Sequence, residues 1–381
     1  MTTSARRSVA IIGTRGYPSY YGGFETAVRW IAPFLVDQGW DVTVYSRPGD
    51  TVPDDPSRDA RVLSRTTRGI DTRSLSTPSF GFTSALDAAW RRPDVALVMN
   101  VANGFWLPLL GARGVPSVVN VDGIEWERDK WSAAGRAVFR AGARLTARHA
   151  TRLIVDAQAI GERWRREFGV TGAYIPYGAE EPPELPVEPG LEHRRYALAI
   201  ARFVPENTVA EFLTAAELLA DRHPVVIVGS SGYGGELDAR AAAIARRNPL
   251  VRWLGHVQDD ARLHALWQHA GAYFHGHSVG GTNPALVQAM ACGAPIVARD
   301  TVYNREVLGD AAAVFTSPEP EAIAAAVTEL LSSPERQSAV SAAAAERARA
   351  RYSWASVGRA YEGVLLEAID ARAARTPARG R

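Results

Sequence analysis

The sequence predicts an α/β protein made of two doubly wound, Rossmann-like domains facing a cleft. Its length of 381 residues exceeds one ordinary domain and suits two. Short apolar runs alternate with helical patterns along almost the whole chain, which marks parallel sheets built from β-α-β units. A stretch rich in proline and acids, EEPPELPVEPG at residues 180–190, divides that alternation and reads as a hinge, since its prolines stop helices and its acids favour solvent. With 46% hydrophobic and 22% charged residues, the chain has the composition of a globular protein.

The strands expected in the first half are SVAIIG, DVTVYS, ARVLS, DVALVMN, PSVVNV, RLIVD and AYIPYG. A second series follows as YALAIA, PVVIVG, VRWLG, AYFHG, APIVA and AAVF. Beyond residue 318 the pattern is helical to the end. The expected organisation is a first domain over 1–180, a linker over 181–195, a second domain over 196–350, and a helix over 351–381 crossing back to the first. In such folds ligands gather where strands end, so the loops after the strands are the places to look for chemistry.

Composition narrows the function. A net charge of +2 is too small to draw the whole protein to nucleic acid, so an anionic partner must meet a local patch. Lys130 is the only lysine, which leaves phosphate contacts to arginine or backbone amides. The single cysteine, Cys292, excludes an internal disulfide and a cysteine-based metal site. The basic, polar start and the asparagines that interrupt the apolar run Val95–Leu110 fit a cytoplasmic protein with no spanning helix.

Four segments carry candidate chemistry. After the first strand, a loop with Gly13, Gly16, Gly22 and Gly23 precedes a helix, so backbone amides and a helix start can approach an anion. The spacing is not that of a dinucleotide fingerprint, and glycine turns also serve packing alone. In VVNVDGIEWERDKW, Asp122 ends a strand beside Glu125 and Trp126; carboxylates accept paired bonds from sugar hydroxyls and an aromatic face covers a pyranose. Asp-Gly is equally an ordinary turn. Arg202 follows the first strand of the second series, where it can grip a diphosphate or simply pair with Glu206.

The fourth segment, HGHSVGGTNPALVQAMACG, opens a helix. Gly280 and Gly281 bend the chain, Thr282 follows, Asn283 suits the N-cap and Pro284 the first helical position. The amides of that first turn would face a diphosphate, and Gln288 on the second turn could reach a ribose hydroxyl. His275 and His277 lack further ligands at metal spacing and read as packing or hydrogen-bonding residues.

Together GTRGYPSYYGGFET, DGIEWERDKW, RFVPEN, HGHSVGGTNPALVQAMACG and YNREVLG resemble a GT-B fold retaining glycosyltransferase of family four, within the bacterial β-rhamnosyltransferase-like subgroup. The resemblance runs from about residue 8 to residue 360. It implies a nucleotide-sugar donor on the second domain, an acceptor glycan or lipid-linked sugar on the first, and neither metal nor cofactor. It assigns Arg202 and the amides after Gly281 to the leaving diphosphate, and Gly22 and Gly23 to covering the donor phosphates on closure. Asn207, His277, Gly280, Gly281, Thr282, Asn283 and Gln288 are counted with the donor, Asp122 with orientation of the sugar or acceptor hydroxyl, and Glu125 and Trp126 with the acceptor. The family's pair of glutamates falls here on Gly280 and Gln288, and its phosphate lysine on Asn207 or Thr208.

The implied reaction moves a deoxyhexose, L-rhamnose from dTDP-rhamnose, in polysaccharide or glycoconjugate synthesis. Transfer from a UDP- or GDP-hexose, a nucleotide-sugar 2-epimerase of the same fold and a non-catalytic nucleotide-sugar-binding protein are the alternatives. On this reading Gln288 is a weakened form of the family's carboxylate, and Gln288→Glu should tighten donor binding several-fold. Finally, Arg136, Arg140, Arg144, Arg148 and Arg152 recur every four residues, giving a broad basic helix face. It is either a solvated surface or a peripheral contact with anionic lipid at the inner face of the cell membrane.

Overall fold

The computed structural model describes residues 6–20, 22–70, 76–121, 123–127, 132–232 and 234–375. The chain divides into two compact units, one of Met1–Tyr177 with Trp354–Arg381 and the other of Gly178–Ser353.

The first unit alternates strand and helix: β1 (Ser8–Ile12), α1 (Gly23–Asp37), β2 (Asp41–Ser46), β3 (Leu63–Thr66), α2 (Ser76–Arg91), β4 (Val95–Met99), α3 (Leu107–Ala112), β5 (Ser117–Asn120), α4 (Ala133–His149), β6 (Arg152–Val155), α5 (Gln158–Phe168) and β7 (Ala173–Tyr174). All neighbouring strands are parallel, in the order β3-β2-β1-β4-β5-β6-β7. Every residue of β4 is buried, as a central parallel strand covered on both faces requires. Right-handed crossovers place α2, α3, α4 and α5, which lead towards β7, on one face of the sheet and α1 on the other. There α1 meets the last helix, and Trp30 stacks on Trp354 with ring centroids 5.6 Å apart.

Two strands depart from the sequence reading. The first residues of ARVLS are spent on a turn, in which the Val62 amide bonds the Asp59 carbonyl and Asp59 holds the Arg61 guanidinium, so β3 begins only at Leu63. AYIPYG pairs only through Ala173 and Tyr174; the Ile175 amide makes a last bond to Val155, and Pro176 has no N–H to continue the ladder.

The second unit runs β8 (Ala197–Ile200), α6 (Val209–Leu219), β9 (Val225–Val228), α7 (Glu236–Arg247), β10 (Val251–Trp253), α8 (Asp260–His269), β11 (Ala272–His275), α9 (Pro284–Ala291), β12 (Ile296–Arg299), α10 (Val302–Leu308), β13 (Val314–Thr316), α11 (Pro320–Leu331) and α12 (Pro334–Arg351). Its parallel sheet has the order β10-β9-β8-β11-β12-β13, so the winding reverses between β8 and β11. The chain then returns to the first unit as α13 (Trp354–Arg375).

The segment read as a hinge is a strap bound to the second unit. Gln268 of α8 accepts from the Leu185 amide at 3.0 Å and donates to the Pro183 carbonyl at 2.8 Å. The Arg262 guanidinium grips both oxygens of Glu188, and Arg252 donates to the carbonyls of Pro189 and Gly190. Prolines keep this stretch out of helix and sheet, but side chains from α8 and β10 satisfy its backbone. At the unit's two ends, Ala179 and Ser353 form a parallel bridge, and the Ala179 amide donates to the Tyr352 carbonyl.

Candidate functional site

The strongest candidate lies in the second unit, at the carboxyl ends of β8 and β11, where the strand order reverses. Doubly wound sheets present ligands at such a point because the two adjacent loops diverge there. A turn at Pro205–Asn207 follows β8, and the loop Gly276–Asn283 follows β11. Three contacts staple them together. The Thr208 hydroxyl donates to the Gly276 carbonyl at 2.5 Å, the Ser278 amide donates to the Glu206 carbonyl at 2.9 Å, and His277 Nδ1 lies 2.6 Å from Asn207 Oδ1. Since Asn207 Nδ2 donates to the Arg202 carbonyl at 2.9 Å, its Oδ1 is the acceptor and His277 Nδ1 carries the proton. Gly276 is required here by close approach, because a Cβ would sit 2.5 Å from the Asn207 carbonyl oxygen.

The start of α9 forms as its sequence dictates. Asn283 caps the helix by accepting from the Ala285 amide at 2.9 Å, and Pro284 occupies the first turn. This cap changes which donors are open. The first-turn amides of Ala285, Leu286 and Val287 all bond Asn283, so they are not the anion site expected of them. The amides of Gly280, Gly281 and Asn283, just ahead of the helix, have no hydrogen-bond partner among the described residues. Gly280 adopts a φ of 108°, which only glycine takes without strain. Thr282 lies buried between these amides.

Arg202 is exposed, and among the described residues its guanidinium has no ion-pair partner. The alternative pairing with Glu206 is absent: Glu206 is buried, and neither of its carboxylate oxygens has a hydrogen-bond partner there. Nothing in the sequence separated Glu206 from an ordinary turn acid. Beneath the loop, burial pushes the His275 imidazole down to about 3, so it is neutral, with Nδ1 3.1 Å from the Tyr273 hydroxyl. Asn304 and Arg299, also unforeseen, brace the site: Asn304 Nδ2 donates to the His277 carbonyl at 3.0 Å and Arg299 to the Thr208 hydroxyl at 2.9 Å.

Gln288, expected at a ribose hydroxyl, is engaged with the strap. Its Nε2 donates to the Glu180 carbonyl at 2.7 Å, and its Oε1 accepts from the Glu180 amide at 3.2 Å. The side-chain amide is thus matched, donor to acceptor and acceptor to donor, with the backbone N–H and C=O of one residue of the strap, a pattern that a carboxylate cannot copy.

In the first unit, Asp122 lies outside the described residues. Glu125 and Trp126 form a short turn, Glu125–Glu127, and both are buried. Trp126 is not an open sugar platform: it packs edge-on against Trp164 and Phe168, with centroids at 6.1 and 5.8 Å. Its large apolar surface is better satisfied in that cluster than in solvent. Gly22 caps α1 in extended backbone with a φ of −170°, open to any residue, and Gly23 begins the helix. In the first turn of that helix, the buried Glu25 accepts from the Arg15 amide of the loop at 2.9 Å, so that amide is not open to an anion. The arginine series is also corrected. Arg152 belongs to β6, beyond the end of α4, and its Nε lies 3.3 Å from Glu367.

Comparison with known proteins agrees with this architecture. Residues 22–178 match the family described as glycosyl transferase 4-like domain, and residues 183–347 that of glycosyl transferases group 1. Each unit thus carries a match to a glycosyltransferase domain, the group 1 domain falling on residues 183–347. In keeping with a GT-B fold, the chain superposes on sucrose-phosphate synthase from Thermosynechococcus elongatus with a TM-score of 0.79 at 18% identity, covering 96% of this chain and 100% of that one. HepE of Anabaena in complex with UDP-glucose gives a TM-score of 0.73 at 15% identity, covering 95% and 99%. At these identities the likeness concerns the fold.

Among curated proteins, the chain is 26% identical over 185 residues to O-antigen chain mannosyltransferase B of Escherichia coli, 48% of each chain. It is 31% identical over 218 residues to phosphatidyl-myo-inositol mannosyltransferase of Mycolicibacterium smegmatis, 54% of this chain and 55% of that one. The chain therefore spans about half the length of the curated relatives it matches.

Proposed function

We propose that this chain transfers a hexose, with retention at the anomeric carbon, from a nucleoside diphosphate sugar held by the second unit to a glycan or lipid-linked sugar. The observation that carries this reading is the set of amides at Gly280, Gly281 and Asn283 that have no partner among the described residues, on a loop stapled at the switch point to the turn that follows β8 and Arg202. Preorganised donors of this kind suit the charge that grows on a departing diphosphate, and they need no reorganisation as the bond breaks. The anomeric C–O bond breaks with its electron pair passing to the diphosphate oxygen. The acceptor hydroxyl attacks from the same side, and its proton passes to the departing phosphate oxygen. His277 and Asn207 hold the two loops in register, and Asp122 and Glu125 are assigned to the acceptor.

The donor proposed is dTDP-rhamnose, on the strength of the subgroup motifs, and polysaccharide or glycoconjugate synthesis is the process it serves. A second reading, a mannose donor, is favoured by the names of the two curated relatives. Melting the protein with dTDP-, UDP- and GDP-sugars separates them, because a ligand that binds only the folded state raises the melting temperature by mass action. Largest stabilisation by GDP-mannose would replace rhamnose by mannose. Stabilisation by none would overturn the transferase reading itself. Incubating the preferred donor without acceptor completes the test, since an epimerase alters the sugar and a transferase does not. Activity is expected to persist in chelator.

A further inference from the structure

The face of the first unit made by α2, α3 and α4 carries a surface that the donor site does not use. Three large apolar side chains on α2, Phe82, Leu86 and Trp90, stand at i, i+4 and i+8 and are 39%, 52% and 79% exposed. That spacing lines them along one side of the helix, where a folded chain in water normally puts polar residues. The stripe is supported from below. Phe82 packs on Trp106 with centroids 4.9 Å apart, Trp106 on Phe105 at 6.3 Å, and Trp106 Nε1 donates to the Pro78 carbonyl. Phe105 in turn reaches α4, where a Cβ on Gly142 would meet its ring at 3.3 Å. The apolar surface therefore continues from α2 to α4, whose Val138 is 49% exposed.

Around this stripe cations outnumber acids. The helices α2, α3 and α4 contain Arg91, Arg136, Arg140, Arg144 and Arg148 against one acid, Asp87, whose carboxylate is taken by Arg91 and the Tyr45 hydroxyl. Arg92 and Arg113 add exposed cations near Trp90, with Arg113 Nε directed to the Ala89 carbonyl. On α4, Arg144 and Arg148 point to solvent, while Arg140 turns towards α5, 3.9 Å from Glu167. No described helix is long and apolar enough to cross a membrane.

We infer that this face docks on an anionic lipid bilayer, with Phe82, Leu86 and Trp90 entering the acyl boundary and the arginines of α2 and α4 meeting lipid phosphates. Apolar residues on one helix side, with cations and almost no acids around them, match the two layers of such a surface. A protein partner would need only the apolar stripe, whereas the cationic surround selects an anionic plane. The inference deepens the proposed function by fixing where a lipid-linked acceptor is met, and rests on it only for that purpose.

Sedimentation with vesicles of phosphatidylcholine, and of phosphatidylcholine with 30% phosphatidylglycerol by design (about one anionic lipid in three), tests it. Binding is expected only with the anionic mixture and should fall steeply with added salt. Trp90→Glu should lower partitioning at least tenfold, Arg144→Glu with Arg148→Glu several-fold, and Val302→Glu, at an exposed residue of the second unit, not at all. Because Trp90 is so exposed, its removal should leave the melting curve unchanged. Quenching of fluorescence by brominated lipid should drop in Trp90→Phe. Equal binding to neutral vesicles, or equal binding by Trp90→Glu, overturns the inference. So does a wild-type dimer that Trp90→Glu makes monomeric without changing lipid binding, which would make the stripe a contact between copies. Nucleotide-sugar binding is measured on the same preparations without vesicles, so failure of the donor site and failure of the lipid face are read separately.

Discussion

Replacing Gln288 by glutamate restores the residue that the family motif leads one to expect, and should nonetheless make the protein worse. In the wild type, Nε2 donates to the Glu180 carbonyl at 2.7 Å while Oε1 accepts from the Glu180 amide at 3.2 Å. The substitution exchanges the donor for an oxygen, so one hydrogen bond, worth about 1 kcal/mol net, is replaced by two acceptors facing each other. The surviving bond from the Glu180 amide gains charge assistance, but Glu180 is exposed and screening limits that gain. A net loss of about 1 kcal/mol follows, about 2 to 4 °C in melting temperature for a domain of this size.

The loss should depend on pH. The new carboxyl would be raised above its unfolded value by the facing carbonyl, so the penalty is full above the folded pKa and disappears below the unfolded one, where the protonated acid donates as the amide did. Melting curves of both proteins at pH 7 and at about pH 4, with donor dissociation constants at pH 7, provide the assay. Unchanged stability with several-fold tighter donor binding would show that Gln288 faces the nucleoside and that its contact with Glu180 is incidental.

Three further outcomes are expected. Arg202→Ala should reduce kcat by about 100-fold, equivalent to about 2.7 kcal/mol, with little effect on the binding of the nucleoside monophosphate; equal turnover would remove it from the diphosphate. His275, held neutral by burial with its folded value at about 3, contributes stability that is complete above its ordinary value of 6.5 and is lost as pH falls from there towards 3, amounting to about 2 kcal/mol by pH 5. In urea titrations at pH 7 and pH 5, His275→Gln should lack that part of the acid sensitivity, and an unaltered pH dependence would refute the assignment. Trp126→Ala should cost about 3 to 5 kcal/mol of stability in the first unit, as loss of a buried aromatic does, and a stable variant with only a raised KM for acceptor would return the ring to sugar binding.

The helix start at Asn283 and Pro284 was legible because capping is a local matter, decided by residues within one turn of each other. The alternating strands were legible for the same reason, their burial on both faces being written into runs such as VALVM. Residues whose partners lie far along the chain were not. Gln288 looked like a depleted carboxylate because Glu180, which its amide matches, sits in a segment that reads as solvent-loving linker. Trp126 looked like a sugar platform because Trp164 and Phe168, which enclose it, belong to a later helix. Glu206 could not be told from a turn acid until its burial was seen. The glycine loop before α1 was read as a close approach for an anion, yet Gly22 takes an ordinary extended backbone and the Arg15 amide of that loop is taken by Glu25.

The bridge between Ala179 and Ser353 has an evolutionary consequence. Residues 178–353 form one uninterrupted stretch whose entry and exit are fastened side by side, whereas the first unit is assembled from two separated pieces of chain. The second unit therefore has the form of a cassette. A gene segment encoding it can be exchanged at its paired ends for another of the same kind without redrawing the path of the host, and a short splice from Tyr177 to Trp354 should suffice to close the host when the cassette is removed.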